Sequence, residues 1–207
     1  MHDDRRITAA ALKALIVHAH PVADSFNHAV VRAATAGLEG AGHQVTALDL
    51  YALDYRAVMN ETEWQVYESE SPVVDPVVAA HVDLVRSTEA MIFIYPTWWS
   101  AMPAIMRGWI ERTMLMGVAF ELDHRHRTRP KLHHLRHLAG ISTYGSPWWY
   151  VKAVNDNGRR TVSRTLRFNA SVRTDVTWLG LYGMDRRTDA DRRAFLDRVE
   201  RRMGRLR

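Results

Sequence analysis

The chain has 207 residues, 47% of them hydrophobic and 25% charged, with a formal net charge of +5. This length and composition suit one compact domain, and we predict a single domain over residues 1–207 that begins with a flexible stretch, 1–11. The chain contains no cysteine, which excludes disulfides, thiolate metal sites and dithiol redox relays, so any electron chemistry would need a bound cofactor.

Strands and helices alternate along the first half of the chain. The predicted elements are, in order, a buried strand over Leu12–Ala19, a helix over Phe26–Ala41, a strand over Gln44–Leu50, an irregular stretch over 51–76, a helix over Val77–Ser87 and a strand from Ala90. The opening strand–helix–strand unit favours a right-handed crossover and a parallel sheet.

Two adjacent tryptophans follow the third strand and make this the most informative segment. The apolar run Ala90–Ile94 is typical of a strand covered on both faces, and Pro103 then predicts the first turn of a helix. Trp98 and Trp99 therefore lie at the carboxyl end of a strand, where open α/β sheets bind ligands. We interpret them as walls for a flat aromatic ligand; the alternative is that both are simply buried.

The second half of the chain continues the alternation and ends in an arginine-rich helix. A basic loop precedes a fourth strand from Leu138, a helix within Lys152–Phe168 and a last strand over Val172–Leu181. In the final helix Ala194, Leu196 and Val199 alternate with arginines at helical spacing, which indicates an amphipathic cover with a solvated basic face. Because no nucleic-acid motif accompanies the charge, we expect no nucleic-acid partner.

The loop after the first strand lacks the glycine-rich fingerprints of dinucleotide and P-loop sites. His20 and Ser25 stand instead beside the start of a helix, whose free amide groups can hold a phosphate. Ser25 is equally well explained as an N-cap. His18 lies inside the strand and is interpreted as a core histidine.

Four segments in register resemble the flavodoxin-like NAD(P)H:quinone reductases, the DT-diaphorase group and its bacterial relatives. They are Leu15–Asn27, Asp49–Tyr51, Tyr95–Trp109 and Gly140–Ser146. The resemblance implies an α/β, flavodoxin-like, doubly wound fold with helices on both faces of a five-stranded parallel sheet in the order 2-1-3-4-5.

The resemblance also implies which residues hold a flavin. The cofactor-binding residues are then His20, Ser25, Phe26, Asn27, Pro96, Thr97, Trp98, Trp99, Ser100, Ser142, Thr143, Tyr144 and Gly145. Tyr150 matches a family tyrosine that donates toward the ring and substrate, and is the predicted catalytic residue. Two departures stand out: Tyr144 replaces a usual glycine, and Asp156 falls near the position of a family histidine.

Histidines at 124, 126, 133, 134 and 137 form a tempting metal cluster. His133 and His137 would share a helix face, but arginines and lysine surround them without a balancing carboxylate after Asp123, so a dication would be repelled. We expect no metal.

These observations predict a flavin-dependent NAD(P)H dehydrogenase that reduces quinones by two electrons in ping-pong hydride transfer. FAD is the expected cofactor, with FMN as the alternative, and NADPH or NADH the co-substrate. The alternatives are a regulatory flavoprotein subunit of a potassium efflux system and a flavodoxin-type electron carrier. The family also implies a homodimer, and the lack of a long apolar run implies a cytoplasmic protein without an integral membrane segment.

Overall fold

The computed structural model describes residues 10–207. The strands are β1 (Lys13–His18), β2 (Gln44–Asp49), β3 (Ala90–Pro96), β4 (Phe120–Leu122), β5 (Thr128–Pro130), β6 (His137–Tyr144) and β7 (Asp175–Tyr182). Five of them form a parallel sheet in the order β2-β1-β3-β6-β7, while β4 and β5 pair as a separate antiparallel hairpin. The predicted order of the main sheet is confirmed, and the hairpin replaces the predicted basic loop.

Seven α-helices connect and cover the strands within residues 10–207. They are α1 (Phe26–Gly40), α2 (Glu61–Gln65), α3 (Pro76–Ser87), α4 (Ala104–Thr113), α5 (Trp148–Ala153), α6 (Asn157–Arg160) and α7 (Asp189–Met203). A π-helical segment, Thr161–Leu166, continues α6 directly. The single helix predicted over 152–168 is therefore broken into pieces, and Pro103 is the N-cap of α4 instead of lying in its first turn.

Alternate residues of the central strands feed two core layers. Val17 and Phe93 face the layer closed by α3 and α4, whereas Ile16 faces the layer closed by α1 and α7. This burial on both faces explains why the central strands are nearly continuous apolar runs. The helices α1 and α7 touch closely at Gly37, where a Cβ would lie 2.2 Å from the Glu200 carbonyl oxygen.

The buried stripe of α7 differs by one position from the sequence prediction. Phe195, Val199 and Met203 face the core, Leu196 is half-buried and Ala194 is exposed. Phe195 contributes far more apolar area than an alanine at the adjacent position, so it decides which face turns inward. The helix is amphipathic as expected, but its core face is set by Phe195.

The stretch 51–76 contains more structure than its sequence indicates. It holds α2, and it surrounds an ion cluster in which Arg112, only 2% exposed, meets Glu63 and Asp75. Arg56 pairs with the same two carboxylates at 2.9 Å each. A buried arginine must be paired in this way, because removing an unpaired charge from water is costly.

Across residues 10–207, no helix is both long enough and apolar enough to cross a bilayer. The flexible start predicted for residues 1–11 falls, apart from Ala10 and Ala11, outside the described residues.

Candidate functional site at the carboxyl ends of the strands

The loop after β3 turns sharply and presents its tryptophans to solvent. Trp98 and Ala101 exchange backbone hydrogen bonds of 3.1 and 3.0 Å, while Trp99 and Ser100 adopt left-handed φ angles of 47° and 58°. The turn leaves Trp99 99% exposed and Trp98 43% exposed. The alternative that both tryptophans are merely buried is wrong, and exposed aromatic pairs of this kind are typical of binding surfaces.

The loop after β6 lies beside the tryptophan loop because β3 and β6 are neighbours in the sheet. Pro96 is in register with Thr143, and the Thr97 amide donates to the Thr143 carbonyl at 2.8 Å. The first turn of α5 then presents three more exposed aromatic side chains, those of Trp148, Trp149 and Tyr150. The two loops together carry five exposed aromatics at one edge of the sheet.

A cavity of about 170 Å³ lies between these two loops. Its lining residues are Thr97, Trp99, Ser100, Tyr144, Gly145, Ser146, Tyr150 and Val151. Six of them, all except Ser146 and Val151, are residues predicted for the flavin or for catalysis. The structure therefore brings together residues that are 53 positions apart in the sequence, from Thr97 to Tyr150.

Several predicted residues support the loops from below instead of lining this cavity. The Ser142 hydroxyl donates to the Tyr95 carbonyl at 2.8 Å and pairs with the Thr97 hydroxyl, also at 2.8 Å. Ser142 is 1% exposed and Thr143 is 7% exposed. The Ser142 side chain fixes the relative position of the two loops, a role that the sequence did not separate from ligand contact.

The predicted phosphate loop lies at the end of β1 and the start of α1. Ser25 is the N-cap of α1, and its hydroxyl accepts from the His28 amide. Asn27 is 4% exposed and donates to the Thr143 hydroxyl at 3.1 Å, which joins this loop to the β6 loop. Its side-chain carbonyl oxygen is buried and has no hydrogen-bond partner among residues 10–207. Phe26 is half-buried and packs toward Phe195, with ring centroids 6.2 Å apart.

His20 stands in the same loop, next to the exposed aromatics. The Val22 amide donates to its Nδ1 at 3.1 Å, and its ring centroid is 6.4 Å from that of Trp98. Burial lowers the pKa of His20. The imidazole is therefore a neutral hydrogen-bonding group near pH 7, beside the start of α1.

Comparison with known proteins agrees with this architecture. A model of the flavodoxin-like fold matches residues 12–203, nearly the whole chain. The chain belongs to the flavodoxin-like family. Among curated relatives, NAD(P)H dehydrogenase (quinone) 1 of Rattus norvegicus is 30% identical over 156 residues, which are 68% of this chain and 57% of the relative. The chain thus spans little more than half the length of that relative.

Solved structures extend the flavodoxin-like match over the whole described chain. The NAD(P)H:quinone oxidoreductase from Methanothermobacter marburgensis has a TM-score of 0.83 at 26% identity, covering 96% of this chain and 100% of that one. An FMN-dependent NADH-azoreductase from Bacillus anthracis, solved with FMN, has a TM-score of 0.73 at 14% identity, with coverages of 94% and 98%. The latter shows the common fold alone.

The tyrosine that replaces a family glycine has a defined partner. The Tyr144 hydroxyl donates to Asp156 at 3.1 Å, and its ring stacks on Tyr182 with centroids 4.5 Å apart. Burial raises the pKa of Asp156 and also that of the Tyr144 hydroxyl. Tyr144 and Asp156, the two departures from the family pattern, therefore form one hydrogen-bonded pair. The sequence analysis named both residues but did not predict that they interact.

The histidines of segment 124–137 do not converge. His133 bonds to the Ala170 carbonyl at 3.0 Å and His137 to the Arg207 carbonyl at 2.6 Å, so each is used in packing. The basic side chains there are also balanced: Arg127 and Arg129 both pair with Asp123. The ion pairs with Asp123 add to the sequence analysis, and the expectation that this segment holds no metal stays a prediction.

His18 fits its interpretation as a core histidine. It is 1% exposed, its Nδ1 donates to the Ile94 carbonyl at 3.1 Å, and burial lowers its pKa to about 4. Its Nε2 lies 3.4 Å from His28 Nδ1, and His28 Nε2 bonds Asp49 at 2.9 Å. This trio is the one set of three potential metal ligands among residues 10–207. Its mutual hydrogen bonds account for its arrangement.

Proposed function

We propose that this protein is a flavin-dependent NAD(P)H:quinone oxidoreductase. One observation carries the proposal: five exposed aromatic side chains stand together at the carboxyl edge of the sheet, and two of them, Trp99 and Tyr150, line a cavity of about 170 Å³. Monomeric proteins rarely leave so many large aromatics together in solvent unless they bind something. The cavity also lies where open α/β sheets take their ligands. The named relatives are quinone and NAD(P)H oxidoreductases, which agrees with this chemistry.

The residues present fit a flavin. At one end, His20, Ser25 and the start of α1 offer hydrogen-bond donors to a phosphate. Asn27 supports this fit, because its buried carbonyl oxygen has no partner among the described residues and can accept a hydrogen bond from a ligand. At the other end, the exposed Trp99 and Tyr150 offer flat apolar surfaces to a ring. Phe26, Pro96, Trp98, Ser142 and Thr143 would shape or support the same site.

When bound, a flavin would supply the two-electron chemistry, taking hydride from NAD(P)H and passing the electrons to a quinone in a ping-pong cycle. The protein's part is to bind and orient. The hydrogen bonds from Thr97 to Ser142 and Thr143 hold the two loops at a fixed spacing, so the walls are preorganised. The backbone amides of both loops supply donors that do not titrate.

Tyr150 is the proposed proton-handling residue. Its hydroxyl lies on the cavity lining and carries no hydrogen bond to a side chain among the described residues, so it is available to a ligand. Asp156 accepts from the Tyr144 hydroxyl, which ties up the side chain at the family histidine's position. We therefore propose that Tyr150 acts alone or with water.

FAD in preference to FMN, and a homodimer, are proposed from the family resemblance, and the cytoplasmic location remains a proposal from the sequence. An open cavity of about 690 Å³ with the exposed Phe168 and Val172 in its lining supports a further subunit contact. Light scattering of the purified protein measures the oligomeric state.

Flavin titration tests the central proposal. We expect FAD or FMN to bind at micromolar concentration, with quenched flavin fluorescence, and the loaded protein to reduce a benzoquinone with parallel double-reciprocal lines. Asn27→Ala should weaken flavin binding about tenfold, equivalent to about 1.4 kcal/mol. Absence of binding by either flavin would refute the proposal, and intersecting lines would refute the ping-pong cycle.

Replacement of Tyr150 by phenylalanine tests its assigned role. The variant keeps the aromatic wall, so any loss comes from the hydroxyl. One hydrogen bond that strengthens in the transition state contributes about 1–3 kcal/mol, which corresponds to hydride transfer slowed about fivefold to hundredfold. Stopped-flow bleaching of the oxidised flavin band measures this step. If Tyr150→Phe bleaches as fast as the parent and turns over quinone equally well, Tyr150 is only a wall.

A further inference from the structure

A second cavity lies beside the aromatic one and has a different character. Its volume is about 290 Å³. Val151 lines both cavities, and the hydrogen bond from Tyr144 in the first to Asp156 in the second lies between them. A ligand long enough to extend past Tyr144 could therefore occupy both. We call this second space the basic cavity.

Four cationic side chains line the basic cavity. They are those of Lys152, Arg159, Arg160 and Arg164. Within residues 10–207 none of the four lies within ion-pair distance of a carboxylate, whereas the arginines of the β4–β5 hairpin are paired with Asp123. Lys152 rests instead over the Trp148 ring, with 5.0 Å from Nζ to the centroid. So many unpaired cations around one concave space attract an anion.

The single carboxylate of the basic cavity does not cancel this charge. Asp156 accepts hydrogen bonds from the Tyr144 hydroxyl and from the Arg159 backbone amide. Burial raises its pKa, and the charge of Arg159 acts in the opposite direction. The four cationic side chains therefore face one carboxylate, and that carboxylate accepts its hydrogen bonds from the Tyr144 hydroxyl and the Arg159 backbone amide.

The backbone around the basic cavity is also unusual. Asn155 and Asp156 have left-handed φ angles of 79° and 39°, a conformation that costs free energy for residues other than glycine. The π-helical segment that follows carries Ser163 and Arg164, both of which line the cavity. Strained residues and π-helical turns are found disproportionately at functional sites, which agrees with the charge argument.

We propose that the basic cavity binds the 2′-phosphate of NADPH, so that this protein uses NADPH in preference to NADH. This inference rests on the proposed function. The nicotinamide would lie in the aromatic cavity and the adenosine end in the basic cavity, with Arg160 and Arg164 on the phosphate and the Ser163 hydroxyl as a further donor. Arginine suits this position because its planar fork bonds two phosphate oxygens at once.

Calorimetry on the flavin-free protein tests the phosphate site directly. Adenosine 2′,5′-bisphosphate and adenosine 5′-monophosphate differ only by the 2′-phosphate. We expect the bisphosphate to bind at least tenfold more tightly, and Arg160→Ala and Arg164→Ala each to remove most of that difference. Arg164→Lys should retain part of it, because the charge stays. Arg129→Ala in the hairpin is the matched control and should leave it unchanged.

Anaerobic reduction of the flavin-loaded protein separates this inference from the proposed function. We expect kcat/KM to favour NADPH about tenfold or more in the parent, and Arg164→Ala to lower the NADPH value while changing the NADH value less than twofold. Equal use of both coenzymes by the parent would overturn the inference and leave the oxidoreductase function standing. Reduction by neither would remove the function itself.

The phosphates of a flavin are also anionic and are the alternative ligand for the basic cavity. If Arg160→Ala and Arg164→Ala weaken FAD binding and leave the coenzyme ratio unchanged, the basic cavity serves the flavin and the NADPH assignment is wrong. We expect unchanged FAD affinity in both variants.

Discussion

Two groups of arginines in this protein have opposite surroundings. Arg112 of α4, together with Arg56, shares Glu63 and Asp75 and is 2% exposed. The arginines of the basic cavity, 159, 160 and 164, have no carboxylate within ion-pair distance in the described part of the chain and border open space. The same residue type stabilises the fold in one place and is available to a ligand in the other.

The difference follows from the free energy of desolvation. A guanidinium removed from water loses several kcal/mol of hydration, which only close carboxylates and hydrogen bonds restore. A cation on a cavity wall keeps its water and can exchange it for a phosphate. An arginine's partners, and not its presence in the sequence, therefore indicate whether it has a structural or a binding role.

Removing Arg112 should give the largest effect. Arg112→Ala leaves Glu63 and Asp75 without their shared partner, and breaking a buried pair in this way costs about 3–5 kcal/mol. We expect urea unfolding to show that loss in the free energy of unfolding, while the NADPH-to-NADH ratio of the remaining folded protein stays unchanged. A loss below about 1 kcal/mol would mean that the Arg112 cluster does not stabilise the fold, and the contrast with the arginines of the basic cavity would fail.

Acid should weaken the Arg112 cluster in a defined pH window. Burial opposes ionisation of Glu63 and Asp75, but hydrogen bonds to their carboxylates outweigh it and lower both pKa values below the usual 4.5 and 3.8. As pH falls, the unfolded chain takes up these protons first, so the stabilisation is present above about pH 4.5 and is lost below it.

The pH effect is best isolated by comparing the parent with Arg112→Met. His18 causes a separate loss between pH 6.5 and about 4 in both proteins, since its neutral form is buried. Burial, together with the charge of Arg112, also lowers the pKa of His81, so we expect parallel stability curves only above pH 6.5 and a larger loss in the parent below pH 4.5. Identical slopes throughout would show that Arg112 does not lower these pKa values.

The exposed arginines should give the smallest stability effects. The Arg129 pair with Asp123 lies on the surface, with the arginine side chain 52% exposed, and such pairs contribute little to stability because water screens the charges. Arg129→Ala and Arg164→Ala should both unfold within about 0.5 kcal/mol of the parent. They should differ only in affinity for the 2′-phosphate, and a large stability loss in Arg164→Ala would assign that residue to the fold.

The sequence predicted the main sheet because its signals are local. Continuous apolar runs such as Ala90–Ile94 are typical of strands covered on both faces, and right-handed crossovers make the sheet parallel, while the order of the strands came from the family resemblance. The hairpin over 120–130 and the break within 152–168 were not predictable in the same way. Short pairings and π-helical turns depend on distant contacts, such as that of Gly158 with the Tyr95 hydroxyl, where a Cβ would lie at 2.6 Å.

The sequence by itself determined that a ligand site would lie at the carboxyl ends of β1, β3 and β6, since parallel strands all end at one edge. Only the tertiary structure decided which residues face the cavity there. Ser142 and Tyr150 were both predicted to contact the ligand, yet one is buried beneath the loops and the other is 44% exposed. The same holds for the arginines. The sequence gives their number, but only the structure shows which of them lie close to carboxylates and which, among the described residues, are available to bind an anion.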